Sequence, residues 1–170
     1  MLPILSQSYW RDEAFSVLLA SKNLKDIFFL TLKDVHPPLY YFLLHSWIRL
    51  FGDVEYVTRS LSLLFLFLLF LSSFFLIKEL LKSWKLSLLG ALAILFNTFL
   101  IEYAFEVRAY MMFTFLTVTA VLFYIKKRYF IFSLFLTLAI LTHNFGVFFL
   151  VAFVSFWIYE NRKNLSDSWV

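Results

Sequence analysis

The side chains that could accept a proton or bind a phosphate are few in this chain. Only 15% of its 170 residues are charged, and it has three histidines and no cysteine. Carboxylates can act as general bases, while arginine matches phosphate oxygens. Without cysteine, thiolate nucleophiles and disulfides are excluded. The candidates are Asp12, Glu13, His36, Arg59, Glu106, Arg108, Tyr110 and His143.

The adjacent carboxylates Asp12 and Glu13 begin an amphipathic pattern, and we predict a helix that starts at Asp12. Acidic residues stabilise the positive end of a helix dipole, and aspartate is a preferred N-cap. Asp12 is therefore interpreted either as an N-cap or as a base, and the two roles are compatible. Glu13 is expected to bind an acceptor, to orient Asp12, or only to interact with the dipole.

The composition indicates the elements that must position these groups. Hydrophobic residues make up 62% of the chain, including 24 phenylalanines, whereas soluble domains average roughly 45–50% apolar and about 25% charged. With so few polar side chains, the chain cannot cover its apolar surface in water, so a water-soluble fold is excluded. Disorder is excluded as well, because disordered chains are poor in aromatic residues.

The hydrophobic stretches predict an all-α, polytopic membrane helix bundle. A spanning helix needs roughly 20 apolar residues. Residues 129–159 carry no formal charge and are too many for one comfortable helix, so we predict a turn at residues 143–146. A single tilted helix is the alternative. The expected spans are 56–77, 86–101, 109–125, 129–142 and 147–159.

The charge distribution predicts the topology. Lysine and arginine cluster at residues 78–85, 126–128 and 162–163, and cytoplasmic loops are enriched in these residues. The tail, residues 160–170, is then cytoplasmic, and residues 1–55, residues 102–108 and His143 face outward. Eight of the eleven acidic residues lie on that outer face. Topology thus explains the net charge of +4 without a nucleic-acid partner, and a multi-pass protein of the plasma (inner) membrane is expected.

The external loop, residues 1–55, is predicted to hold two membrane-parallel amphipathic helices. The first is the helix from Asp12. The second is expected to begin at Pro37, because proline suits a first helical turn, and to stop at Gly52, a favourable residue after a helix end.

Five short motifs occur in order along the chain: Trp10–Ala14, His36–Tyr41, Arg59–Ser62, Glu106–Tyr110 and Thr142–Gly146. Together they resemble the GT-C superfamily of membrane glycosyltransferases, most closely the bacterial relatives of dolichyl-phosphate-mannose protein mannosyltransferases. The resemblance implies a polyprenyl-phosphate-linked sugar as donor. It also implies an acceptor hydroxyl on a lipid, glycan or protein. The site is expected to contact membrane lipid and to lie at the outer face of the membrane.

The same resemblance implies roles for the candidate residues. Asp12 is expected to be the catalytic base, and Arg108 to meet the lipid phosphate. The remaining substrate-binding candidates are Glu13, His36, Arg59, Glu106, Tyr110 and His143.

Simpler structural roles stay open for two of these residues. Arg59 could form an ion pair with Glu55 or with a motif carboxylate, and Arg108 could pair with Glu106 or Glu102.

No cofactor is expected. The three glycines are far apart, so no phosphate-binding loop of the nucleotide type exists. A divalent metal is the less favoured option, and its ligands would be Asp12, His36, Glu106 and His143.

Two broader expectations complete the sequence-based interpretation. Members of the superfamily have a span before the acidic pair and many after these motifs, so the chain is expected to be an amino-terminal fragment without activity of its own. The alternative from another functional class is a non-catalytic membrane scaffold, or part of a lipid or solute transporter.

Overall fold

The computed structural model describes residues 7–34 and 36–167. All regular structure in this part of the chain is helical, which confirms the all-α fold class. Residues 1–6 of the predicted external loop and 168–170 of the predicted tail lie outside the described residues. The helices are α1 (Arg11–Ala20), α2 (Leu24–Lys33), α3 (Leu39–Phe51), α4 (Glu55–Leu81), α5 (Trp84–Leu95), α6 (Thr98–Ala104), α7 (Tyr110–Ile125), α8 (Tyr129–Thr142) and α9 (Phe145–Asp167).

Among the described residues, α4 and α9 are long and apolar enough to cross a membrane by themselves. The helices α7 and α8 are shorter but apolar. The expected single helix over residues 86–101 is wrong, because α5 and α6 meet at a break with an angle of 64°. The cause lies in Asn97, whose side chain accepts a hydrogen bond from the Leu100 amide and caps a new helix.

The uncharged stretch 129–159 is divided between α8 and α9, with His143 and Asn144 at the break. Gly146 allows the two helices to approach closely. A Cβ atom at this position would lie 2.6 Å from the Cα atom of Ile140, so a larger residue would push the helices apart.

Within residues 7–34 and 36–54, the structure has three helices, α1 to α3, rather than the two predicted. The helix start at Asp12 is wrong, since α1 begins at Arg11 with Trp10 as its N-cap residue. The start at Pro37 is also wrong: α3 begins at Leu39. Because Pro37 itself precedes a proline, the helical conformation is disfavoured there. The stop at Gly52 agrees with the structure, where this glycine has φ = +101°.

The core forms where α4 packs against α5 and α7, and α7 against α8. Ser72 and Thr119 share a hydrogen bond of 2.8 Å between α4 and α7. The helix α3 lies against α1 and α4 and buries Tyr40 and Leu44. These contacts fix the starts of α1, α4 and α7 close to one another, and six of the eight predicted site residues lie at or next to those starts, whereas His36 lies before α3 and His143 between α8 and α9.

Candidate functional site

A cavity of about 330 Å³ lies between α1, the residues before α3, the start of α7 and the α8–α9 turn. We call it the arginine cavity, after Arg108 on its wall. Five of the eight residues singled out from the sequence line it: Asp12, His36, Arg108, Tyr110 and His143. The fold therefore brings together residues from four of the five motifs.

Arg108 organises this cavity. Its Nη2 atom lies 3.2 Å from Asp12 Oδ2 and donates a hydrogen bond of 3.1 Å to the Tyr110 hydroxyl. The guanidinium carbon also lies 4.7 Å from the Tyr110 ring centroid and 5.5 Å from that of Trp10. Cation–π contacts of this kind hold a guanidinium in place, so Arg108 is presented to the cavity in a fixed orientation.

Asp12 lies in the first turn of α1, and its side chain is 45% exposed. The Ser16 hydroxyl donates a hydrogen bond of 3.0 Å to the Asp12 backbone carbonyl. The carboxylate is thus accessible from the arginine cavity and is oriented by its ion pair with Arg108.

The two histidines of the cavity have different surroundings. His36 Nδ1 lies 3.1 Å from Asp34 Oδ2 at the exposed edge. His143 packs between the rings of Tyr110 and Phe113, with centroids 5.2 and 5.5 Å away. Burial lowers the pKa of His143, with smaller contributions from the positive charges of His36 and Arg108.

The tautomer of His143 follows from a hydrogen bond that its ring accepts from the backbone. Its Nδ1 atom accepts a 3.2 Å hydrogen bond from the Phe145 amide. The proton of the neutral ring therefore resides on Nε2. This leaves an N–H group that can donate to an oxygen atom of a ligand.

Glu13 and Arg59 form a buried ion pair. Arg59 donates from Nε and Nη2 to the two carboxylate oxygens of Glu13, at 2.9 and 2.6 Å. The Val107 amide donates to the same carboxylate at 3.0 Å. The sequence left two partners open for Arg59, namely Glu55 and a motif carboxylate. The structure pairs Arg59 with the motif carboxylate, that of Glu13.

This pair joins three distant segments, namely α1, α4 and residues 106–108. Arg59 also donates to the Gln7 carbonyl at 2.8 Å, which extends the contact to the residues before α1. Neither Glu13 nor Arg59 lines the arginine cavity. Both contribute to the wall of a second cavity.

The second cavity has a volume of about 590 Å³, and Trp10 and Glu106 are among its lining residues. We call it the tryptophan cavity. The Glu106 carboxylate lies 3.9 Å from Arg108 Nη1, so the pair expected from the sequence is a loose one. Burial raises the pKa of Glu106 in spite of the nearby Arg108.

The less favoured metal site would require Asp12, His36, Glu106 and His143 to converge. Within residues 7–34 and 36–167, no three histidine or carboxylate side chains converge in a way that could hold a metal ion. Three of the four residues line the arginine cavity, and Glu106 belongs to the wall of the tryptophan cavity.

Six lining residues of the arginine cavity were not among the predicted site residues: Arg11, Phe15, Ser16, Asp34, Tyr41 and Ala109. Burial raises the pKa of Tyr41 to about 12, so its hydroxyl remains a hydrogen-bond donor at neutral pH. Three of the six had a signal, because Arg11, Tyr41 and Ala109 belong to the motifs that contain Asp12, His36 and Arg108.

Residues 35–170 match the family model described as dolichyl-phosphate-mannose-protein mannosyltransferase. The chain belongs to this family. Membership confirms the resemblance drawn from the motifs and makes the protein a membrane glycosyltransferase of the GT-C type. It thereby favours the enzyme over the scaffold or transporter. Asp12 and Glu13 precede the residues that match the mannosyltransferase family, whereas the other candidate residues lie within them. No match was found among curated proteins or among solved structures.

Proposed function

We propose that the protein transfers a sugar from a polyprenyl-phosphate donor to an acceptor hydroxyl, with Asp12 as general base and the arginine cavity as the donor site. The supporting observation is the contact of 3.2 Å between the Asp12 carboxylate and the Arg108 guanidinium on the wall of one cavity. A proton acceptor and a phosphate-binding cation are the two groups that this reaction requires in one place.

The proposed reaction is a displacement at the anomeric carbon of the donor sugar. The acceptor oxygen forms a bond to that carbon while the bond from the carbon to the phosphate oxygen breaks. The acceptor proton passes to Asp12, and the lipid phosphate leaves with the bonding electron pair. Arg108 stabilises the negative charge that develops on the leaving phosphate.

Other residues of the arginine cavity complement this phosphate. Arg11 brings a second permanent positive charge, and the Nε2–H group of His143 can donate a hydrogen bond. His36 and Tyr110 line the same cavity. A phosphate bound to Arg108 would compete with Asp12 for the guanidinium, which would leave a carboxylate oxygen for the acceptor proton.

Binding of the donor tests this assignment. We expect the chain in lipid nanodiscs to bind undecaprenyl-phosphate sugars, and Arg108→Gln to weaken binding at least tenfold, because hydrogen bonds to charged groups contribute about 1.5–3 kcal/mol. Arg128→Gln is the matched control. It removes the same charge from an exposed residue beyond the opposite end of α7 and should bind as the parent does. Equal loss in both variants, or no binding by the parent chain, would refute the assignment.

The proposal also places the site at the outer face of the plasma membrane. Single cysteines at positions 21, 46 and 143 should react with an impermeant maleimide from outside. Cysteines at positions 82, 127 and 163 should react only after permeabilisation, because the basic clusters favour the cytoplasm. Labelling of position 163 from outside would contradict the predicted hairpin of α8 and α9.

A further inference from the structure

A third cavity lies at the far end of α4, next to the end of α7, and has a volume of about 400 Å³. Its lining residues are Phe75, Lys78, Glu79, Lys82 and Lys126. We call it the lysine cavity. Lys78 follows Arg59 by 19 residues on the same helix, which corresponds to roughly 28 Å along the helix axis. The lysine cavity is therefore remote from the arginine cavity.

The wall of the lysine cavity carries more positive than negative charge. Lys82 Nζ donates to Glu79 Oε1 at 2.6 Å, so the one carboxylate of the wall is neutralised by a neighbour. Lys78 and Lys126 form no ion pair with any residue in the described part of the chain. Two ammonium groups from different helices therefore line one cavity without a counter-charge, and such a site attracts an anion.

Tertiary packing brings these lysines together. Lys78 lies in the last turn of α4 and Lys82 directly after it, whereas Lys126 follows α7. The positive-inside rule predicts basic residues beside the ends of spans, but it does not require them to share a cavity. Topology alone thus explains the number of lysines and not their convergence.

The backbone at Lys82 supports a role for its side chain. Lys82 ends α4 with φ = +52°, a conformation that glycine adopts more readily than any other residue. A cation near a helix C-terminus stabilises the dipole, but Lys78 already supplies one in unstrained backbone. The exposed pair with Glu79 contributes little to stability. Its effect is to mask the carboxylate that would otherwise repel an anion from the cavity.

Phe75 adds an apolar surface beside the ammonium groups. This residue is 46% exposed and lies one turn before Lys78 and Glu79. The helix α4 is long and apolar enough to cross a membrane, and the hydrocarbon core of a bilayer is roughly 30 Å thick. With Arg59 at one surface, the lysine cavity lies at the level of the lipid phosphates of the other. A phospholipid offers both a phosphate and an acyl chain, whereas a free phosphate would leave Phe75 uncovered.

We infer that the lysine cavity binds the headgroup of an anionic phospholipid from the bilayer. Lys78 and Lys126 contact its phosphate oxygens, Lys82 keeps Glu79 neutralised, and an acyl chain covers Phe75. Basic pockets between membrane helices suit lipids with two phosphates such as cardiolipin, and two ammonium groups are free to meet them. The bound lipid connects the ends of α4 and α7. This site does not depend on the proposed function.

Binding of a cardiolipin with a fluorescent acyl chain to the purified chain in neutral detergent tests the inference, with fluorescence anisotropy as the readout. We expect saturable binding that excess phosphatidylglycerol displaces, whereas phosphatidylcholine and inorganic pyrophosphate leave it in place. Lys78→Gln combined with Lys126→Gln should weaken binding roughly tenfold or more, because both phosphate contacts are lost.

The matched control is Lys85→Gln combined with Arg128→Gln. It removes two positive charges from exposed residues that follow the same two helices but do not line the lysine cavity, and it should bind cardiolipin within about twofold of the parent chain. Equal losses in the two double variants would show a diffuse basic surface and overturn the inference.

Lys82→Gly separates the charge from the fold. Glycine adopts the observed φ freely, so the thermal midpoint of unfolding should be retained, while the unmasked Glu79 should weaken cardiolipin binding about fivefold. Full binding by this variant would contradict the inference. So would displacement by pyrophosphate as effective as that by phosphatidylglycerol, or the absence of cardiolipin binding by the parent chain.

Discussion

Replacement of Asp12 by asparagine is expected to reduce the rate of sugar transfer by about 10²- to 10⁴-fold, the usual contribution of a general base. Asparagine has nearly the same shape but cannot take up the acceptor proton. The N-cap of α1 is Trp10, so the helix start should be unaffected. The measurement is the initial rate of transfer at equal protein levels, in membranes that contain the chain together with the further spans that the family resemblance implies.

Asp34→Asn is the matched control for Asp12→Asn. Both substitutions remove one carboxylate from the wall of the arginine cavity, but only Asp12 forms an ion pair with Arg108 on that wall. The control should retain transfer within a few-fold of the parent rate. Equal losses in the two variants would show that the charge of the cavity matters and that Asp12 is not the base.

Loss of the Glu13–Arg59 pair should have the largest effect on stability. Glu13→Gln leaves the Arg59 guanidinium buried without a counter-charge, and breaking a buried pair on one side costs about 3–5 kcal/mol. In either orientation the NH2 group of glutamine would face a donor that now bonds the carboxylate: Arg59 Nη2 at the Oε2 position, or Arg59 Nε and the Val107 amide at the Oε1 position. We expect a clear fall in the thermal midpoint of unfolding in detergent.

Two further variants separate stability from positioning. The double substitution Glu13→Leu with Arg59→Met removes both charges and should recover much of the lost midpoint, because apolar replacements of buried pairs are often neutral. It should not recover transfer, since the 106–108 segment loses its anchor. Glu79→Gln, at an exposed pair with Lys82, serves as the control and should leave the midpoint unchanged. Full stability of Glu13→Gln would contradict the proposed anchor.

The sequence predicted those features of the fold that depend on local chemistry. Gly52 ends α3 because it can adopt positive φ, and the uncharged length of residues 129–159 required a break. The break after α5 was missed, because the surrounding residues are apolar enough for a single span. Its signal was Asn97, a good N-cap residue that is unusual inside a spanning helix.

The sequence predicted the members of the site better than their arrangement. Adjacent residues on a helix point about 100° apart, but this spacing did not show whether Asp12, Glu13 or both would face the arginine cavity, since the adjacent residues Arg11 and Asp12 both line it. The direction of each depended on partners far away in the chain. Arg59 and Val107 are 46 and 94 residues beyond Glu13, and no local pattern links them. Apart from its place in the first motif, nothing in the sequence indicated that Trp10 would line a cavity.

The contact between Glu13 and the Val107 amide has a consequence for biosynthesis. At a synthesis rate of about 5–20 residues per second, the 94 residues between these partners take on the order of 5–20 seconds to emerge. Arg59 becomes available first, so the carboxylate can be neutralised while α4 inserts. The segment that carries Glu106 and Arg108 can dock only afterwards. The walls of the arginine and tryptophan cavities are therefore completed late, after α4 is in place, and a nascent chain that has reached only α5 has neither cavity.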